Sequence, residues 1–246
     1  MNTFKSILLV SLFLGNIIIS LYTFTNGFLI RRISLNSTNT NSFEKLKKFD
    51  KAIILFVDAL RFDFIFSNHD SKQNEYFGLP TLETLVKQRS NARLYKFIAD
   101  PPTTTMQRIK ALMSGTLPTF IDAGSNFDSY IIEDDTLVKQ TYLSNKSVVI
   151  LGDDTWLSLF ESHMIAKHHT YPSFNIKDLD TNDQHVNEHL ENLFKYEKNT
   201  KWNMLIAHYL GLDHCGHSFG PKSPVIKRKL KDIDDSIKLE LILNNH

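Results

Sequence analysis

The chain has 246 residues, room for one sizeable domain and something more, and its 28 basic residues nearly cancel its 27 acidic ones. That balance excludes the one-signed field of a nucleic-acid binder. The apolar share of 42% is ordinary for a globular core, and the single cysteine, Cys215, excludes an intrachain disulfide.

The run Ser6–Ile30 carries no charge and is long enough to cross a bilayer. A signal-peptide core is shorter, and no clean small-x-small cleavage site follows this one. The run therefore predicts an uncleaved anchor over residues 1–30, followed by a polar linker over 31–50 (LNSTNTNS at its centre) and a domain over 51–246. Flanking charge and glycosylation signals disagree about orientation. Lys5 precedes the run, whereas Arg31, Arg32, Lys45, Lys47 and Lys48 follow it, which by the positive-inside rule puts the domain in the cytoplasm. The sequons Asn36-Ser37-Thr38 and Asn145-Lys146-Ser147 have meaning only in the lumen.

Beyond the linker, Ala52–Val57 (AIILFV) is a continuous apolar run, the pattern of a strand covered on both faces, and it ends at Asp58. Carboxylates at the carboxyl end of such strands are placed where open α/β sheets hold ligands; the bland alternative for Asp58 is a cap or a partner for Arg61. Leu79–Gln88 has a turn proline followed by helical spacing. Arg93–Ala99 reads as a short strand that Pro101 and Pro102 terminate. Thr103, Thr104 and Thr105 then lead into Met106–Met113, whose apolar residues have helical spacing. The threonines thus fall at a helix N-terminus, where backbone N–H groups and the dipole favour a phosphate. A hydroxyl there is either an N-cap or, if a metal or base lowers its pKa, a nucleophile.

Gly115–Asn126 is rich in turn formers and predicts a loop. A helix is expected over Asp134–Leu143, a buried strand over Ser147–Leu151, and a helix over Thr155–Phe160. Asp153 and Asp154 take structural roles in this reading. His168-His169 falls in a loop as surface polarity. Asp183–Tyr196 is amphipathic, Trp202–Leu210 (WNMLIAHYL) is a third apolar strand, and the stretch from Pro224 is helical. Strands alternating with helices argue an α/β domain with a mostly parallel sheet. Asp58, Thr105 and the loop pair Asp213/His217 each follow a predicted strand and so share one sheet edge. Oxygen donors with a few histidines suit zinc or manganese, though Asp-x-x-x-His alone is a common spacing.

Four blocks, in order, carry a resemblance: DALRFDF (Asp58–Phe64), DPPTTTMQRIKALMSGTLPTFIDAGSNF (Asp100–Phe127), GDDTW (Gly152–Trp156) and HYLGLDHCGHSFGP (His208–Pro221). Together they resemble the GPI ethanolamine phosphate transferases, nearest to the class O type that acts on the third mannose. The resemblance implies an alkaline-phosphatase-like α/β domain in the endoplasmic reticulum lumen, behind one transmembrane helix. It implies two divalent metal ions, zinc by expectation. Asp58 and Thr105 match one metal site, with Thr105 as nucleophile and Thr103 as its rival. Asp213 and His217 match the second. The implied donor is phosphatidylethanolamine and the implied acceptor a mannose of the GPI glycolipid, with a small membrane protein as stabilising subunit. The family's Gly-Asp-His-Gly-Met-like motif and its multispanning C-terminal region are missing, so the resemblance implies an N-terminal part with about half a metal site. The competing expectations are a membrane-anchored phosphodiesterase and a truncated product that binds without turnover.

Overall fold

The structure, a computed structural model, describes residues 3–28, 49–66, 78–117, 131–196 and 201–243. Helix α1 (Thr3–Phe28) has 26 residues, none buried. At 1.5 Å per residue it is about 39 Å long, more than the roughly 30 Å hydrocarbon layer of a bilayer. Its few polar side chains turn back on the helix: Asn16, Thr23, Thr25 and Asn26 each donate to the carbonyl four residues earlier. A polar group that is satisfied locally enters an apolar medium at lower cost. By length and composition α1 qualifies as a membrane span. Most of the expected linker, with Asn36, lies outside the described residues, as does the expected loop beyond Leu117.

Among the described residues the domain is built on four parallel strands: β1 (Ala52–Val57), β2 (Val148–Asp153), β3 (Lys167–Tyr171) and β4 (Met204–Tyr209), in the order β1-β4-β2-β3. All pairings are parallel, so every carboxyl end lies on one edge. Opposite Val57 stands Tyr209, and the Asp58 N–H donates to the Tyr209 carbonyl at 3.0 Å. That register brings the residue after β1 beside the residue after β4. The central strands β2 and β4 are buried along their whole length.

Side-chain alternation divides β2 between two layers. Val148 and Ile150 pack with Ile109 and Met113 of α3 (Thr105–Ser114), Val138 of α4 (Leu137–Leu143), and Trp156 and Leu159 of α5 (Thr155–Leu159). Val149 and Leu151 pack with Val186, Leu190 and Leu193 of α6 (Thr181–Lys195). A third cluster joins Leu79, Phe64 and Ile65 to Leu212 and Cys215 of α7 (Gly211–Phe219) and to Ile226, Leu230, Ile233 and Ile237 of α8 (Pro224–Leu243). Helix α2 (Pro80–Gln88) opens on its proline, where the missing N–H costs nothing. Helix α4 starts later than Asp134 because the Thr136 side chain caps it, accepting from the Lys139 N–H at 3.1 Å.

Three expectations change. Arg93–Ala99 is not a strand: it pairs with no ladder among the described residues, and Tyr95, Phe97 and Ile98 lie exposed. An apolar alternation becomes a strand only where a partner satisfies its backbone. His168-His169 lies not in a loop but in β3, so the two side chains leave on opposite faces, and the His169 ring stacks on His189 at 3.9 Å. The stretch after β4, expected as a loop, is helix α7, which starts at Gly211 directly after the strand.

Two glycines are held by close approach. Gly152 has φ +108°, and a Cβ there would collide with the His208 carbonyl of the neighbouring strand. A Cβ on Gly211 would collide with the Asp183 carboxylate, the Leu179 carbonyl and the Lys229 side chain. Gly152→Ala and Gly211→Ala are each expected to destabilise the domain by at least ~1–3 kcal/mol, the usual cost of overpacking. Gly216→Ala, in a helix with open space around it, should instead stabilise by about 0.5–1 kcal/mol. Thermal melts of the three variants check the order.

Candidate active site

Two of the four expected site residues meet. The Thr105 hydroxyl donates to Asp58 Oδ2 at 2.7 Å. Asp58 follows β1 directly and is nearly buried. Its other oxygen, Oδ1, accepts from the N–H of Ala59 at 2.9 Å, where the chain turns through φ 56°. Thr105 is the first residue of α3. Thr104 holds the N-cap position, but its side chain makes no capping bond, so the first-turn N–H groups are not closed off by a side-chain cap there. Arg108, one turn into α3, donates through Nη2 to the carbonyls of Asp100 and Pro102, tying the proline turn to the helix that it precedes. Burial lowers the pKa of this guanidinium, with Asp100 pulling the other way.

A cavity of about 460 Å³ opens beside this pair. Its walls include Phe56, Val57, Asp58, Phe97, Thr103 and Arg108. Thr103 therefore borders the same space, while Thr105 is the threonine bonded to the carboxylate.

Asp213 and His217 meet each other but not the first pair. They sit one turn apart on α7 rather than on a loop, with His217 Nε2 3.5 Å from Asp213 Oδ2. His217 is mostly exposed. Among the described residues no group of three or more His, Cys, Asp and Glu is placed to hold a metal ion. A zinc site takes three or four protein ligands. Each pair supplies two donors of suitable chemistry, an oxygen pair and an oxygen–nitrogen pair, which is a partial set.

The sequence reading passed over His208, Trp156, Asp183 and Lys229. His208 is fully buried in β4, and Trp156 Nε1–H donates to its Nδ1 at 2.9 Å. On one side Asp153 Oδ2 lies 3.4 Å from Nδ1; on the other, Asp58 Oδ2 lies 3.8 Å from Nε2. Burial drives the His208 pKa down to about 4 despite the opposing pull of Asp58 and Asp183. Burial likewise raises the pKa of Asp153, against the hydrogen bonds from Thr155. The available signal was a histidine inside the apolar run MLIAHYL, since a buried polar residue needs a partner.

Asp183 anchors the start of α7. Its Oδ1 accepts from the N–H groups of Leu210 and Gly211, at 2.9 and 3.1 Å. Its Oδ2 lies 3.0 Å from Lys229 Nζ, which also reaches Asp180 at 3.1 Å. Beside it, Asn182 donates to the His208 carbonyl. His214 completes the seating of α7: one ring nitrogen stands 2.7 Å from the Asp178 carbonyl and the other 3.0 Å from that of Ser173.

Residues 52–239 match the family model described as type I phosphodiesterase / nucleotide pyrophosphatase. The chain belongs to this family. It is 41% identical over 243 residues to the human GPI ethanolamine phosphate transferase 3 catalytic subunit, covering 87% of this chain and 22% of that one. The Saccharomyces cerevisiae GPI ethanolamine phosphate transferase 3 is 42% identical over 249 residues, covering 93% and 24%. The human type 2 catalytic subunit is 39% identical over 186 residues, covering 76% and 18%. The chain thus spans about a fifth to a quarter of the length of these relatives. Human ectonucleotide pyrophosphatase / phosphodiesterase 5 shares the fold, with a TM-score of 0.51 at 14% identity over 78% of this chain and 52% of that one. The alkaline-phosphatase-like architecture expected from the sequence, a parallel sheet flanked by helices, is the one observed.

The buried Lys229–Asp183 pair gives a measurable pH signature. Burial alone would lower the ammonium pKa, but Asp183 and then Asp180 outweigh it and hold it above its ordinary 10.5. The pair's contribution is therefore complete below pH 10.5 and is lost as pH rises through the still higher folded value. Lys229→Met, which leaves a buried carboxylate without its partner, should cost about 3–5 kcal/mol at neutral pH. Urea melts from pH 7 to 11 should show the wild-type advantage shrinking only at the alkaline end. Asp183→Asn should reduce the same alkaline dependence, leaving the part that Asp180 supplies.

Proposed function

We propose that this chain carries the nucleophile-bearing part of a GPI ethanolamine phosphate transferase, anchored by α1 in the endoplasmic reticulum membrane with the domain in the lumen. The single observation that carries the reading is the Thr105 hydroxyl hydrogen-bonded to Asp58 at the carboxyl edge of the sheet, in a chain about 40% identical to such transferases. In this reading the Thr105 oxygen attacks the phosphorus of phosphatidylethanolamine. An O–P bond forms to threonine, the bond to the glycerol oxygen breaks, and diacylglycerol leaves with a proton on that oxygen. A mannose hydroxyl of the GPI glycolipid then takes the phosphoethanolamine, giving up its proton and restoring the threonine hydroxyl. The likeness to type 3 relatives favours the third mannose. Asp58 orients the threonine, and the N-terminus of α3 faces the anionic phosphate.

Asp58 with Thr105, and Asp213 with His217, are the groups that would hold the two divalent ions, zinc in our reading. Such ions stabilise the attacking and leaving oxygens when bound. A small membrane-protein subunit is a further partner in this reading. The family's own description favours a second reading, in which water rather than a sugar accepts the group.

Membranes containing the protein, incubated with phosphatidylethanolamine labelled in the ethanolamine, should yield an Asp100–Arg108 peptide modified at Thr105. Thr105→Ala should abolish the adduct, while Thr105→Ser should retain part of it. Thr103→Ala should leave the adduct and change stability little, because Thr104 rather than Thr103 holds the N-cap position. An adduct on Thr103 would overturn the assignment. Release of label to water, with none on glycolipid, would select the phosphodiesterase.

Orientation has its own check. Asn145 is exposed in a left-handed turn after α4. A luminal domain should carry glycan there, so glycosidase treatment should increase mobility, and Asn145→Gln should reduce the shift.

A further inference from the structure

We propose that His208 is a positioning residue that presents its Nε2–H to Asp58 and sets the angle at which that carboxylate holds Thr105. The inference rests on the reading of Asp58 and Thr105 given above. It goes beyond it by adding a residue from the neighbouring strand.

Indole nitrogen only donates, so the 2.9 Å bond from Trp156 makes His208 Nδ1 an acceptor. A neutral ring with a bare Nδ1 carries its proton on Nε2. An Nδ1 that accepts the indole N–H bears no proton, so the ring is neutral. Nε2 has no hydrogen-bond partner although it is buried, and the nearest carboxylate oxygen is Asp58 Oδ2 at 3.8 Å. That same oxygen accepts the Thr105 hydroxyl. Asp153 fits the arrangement from the other side. Its Oδ2 lies 3.4 Å from Nδ1 and has no hydrogen-bond partner, and burial favours its neutral form, which does not repel the Nδ1 lone pair. The Phe56 ring, centred 4.5 Å from the imidazole at 67°, restricts the rotation of His208.

The row Trp156–His208–Asp58–Thr105 therefore runs from α5 through the centre of the sheet to the first residue of α3. An unpaired donor inside a protein carries a large desolvation cost, and closing on Asp58 removes it. The family match places all four residues in one domain, and the register of β1 against β4, Phe56 opposite His208, holds Asp58 in range.

Two measurements on the whole chain test this. The first needs no turnover. Nitrogen-15 spectra of histidine-labelled protein in detergent, with His208 assigned by its loss in His208→Gln, should show the Nε2-protonated tautomer. Asp58→Asn should shift its Nε2–H resonance, and Trp156→Phe should mix the tautomers. A proton on Nδ1, or an Nε2 signal indifferent to Asp58→Asn, overturns the proposal.

The second uses isosteres. Glutamine places an amide nitrogen near Nε2, whereas asparagine places its amide near Nδ1. His208→Gln should keep most of the rate of Thr105 adduct formation. His208→Asn should lose about 10–100-fold in kcat with KM unchanged. Asparagine rescuing as well as glutamine would show that only the Trp156 contact matters, and would overturn the proposal. Absence of an adduct in the wild type would count against the transferase reading alone, because the tautomer measurement decides the His208 inference without it.

Discussion

The placement of Asp213 and His217, one half of the candidate site, depends on one carboxylate, Asp183. It accepts two backbone N–H groups where β4 ends and α7 begins, and it pairs with the buried Lys229 of α8. A helix start exposes N–H groups that have no intrahelical acceptor, and a buried one must find an outside partner. Here that partner comes from α6, which packs on the sheet from one face. Three helices and a strand are thereby joined at one point. The tightness of the junction explains Gly211, where any side chain would displace either the carboxylate or the lysine. The direction of α7, and with it the position of Asp213 and His217, follows from this contact.

The other half of the site is positioned differently. Asp58 stands at the end of β1 because the register with β4 puts its N–H on the Tyr209 carbonyl. Thr105 reaches it because α3 packs through Ile109 and Met113 onto the sheet and Arg108 binds the proline turn that leads into the helix. The sheet brings the first half together through backbone pairing. The second half is held by side-chain electrostatics. Both converge on β4, a fully buried strand between β1 and β2.

A hydrophobic strand that carries a histidine next to its last residue is unusual in cost, since His208 is wholly enclosed. The indole N–H of Trp156 offsets part of that cost, and the remaining polar atom faces Asp58. Trp156, His208 and Asp58 lie in a row toward the carboxyl edge of the sheet. That row separates the Asp153–His208 pair from ordinary structural polarity such as Asp154, which accepts from the Ser173 hydroxyl and N–H.

Much of this was legible in the residues. The apolar runs AIILFV, SVVIL and WNMLIAHYL predicted three of the four parallel strands, because burial on both faces leaves a continuous hydrophobic signal. The threonine-to-helix transition, and Asp58 at a strand end, were legible for the same local reason. Arg93–Ala99 was misread because a strand is defined by its partner, which local sequence does not contain. His168-His169 in β3 and Asp213–His217 in α7 were misread as loop because polar residues at an edge strand and a glycine at a helix start mimic loop composition. The sequence by itself determined most of the elements, their alternation, the apolar first helix and the family. Only the tertiary structure decided that Thr105 rather than Thr103 bonds Asp58, that Asp183 and Lys229 seat α7, and that His208 faces Asp58. Those contacts join residues some 27 to 150 positions apart, and their geometry comes from strand order and register, to which no local pattern of residues is sensitive.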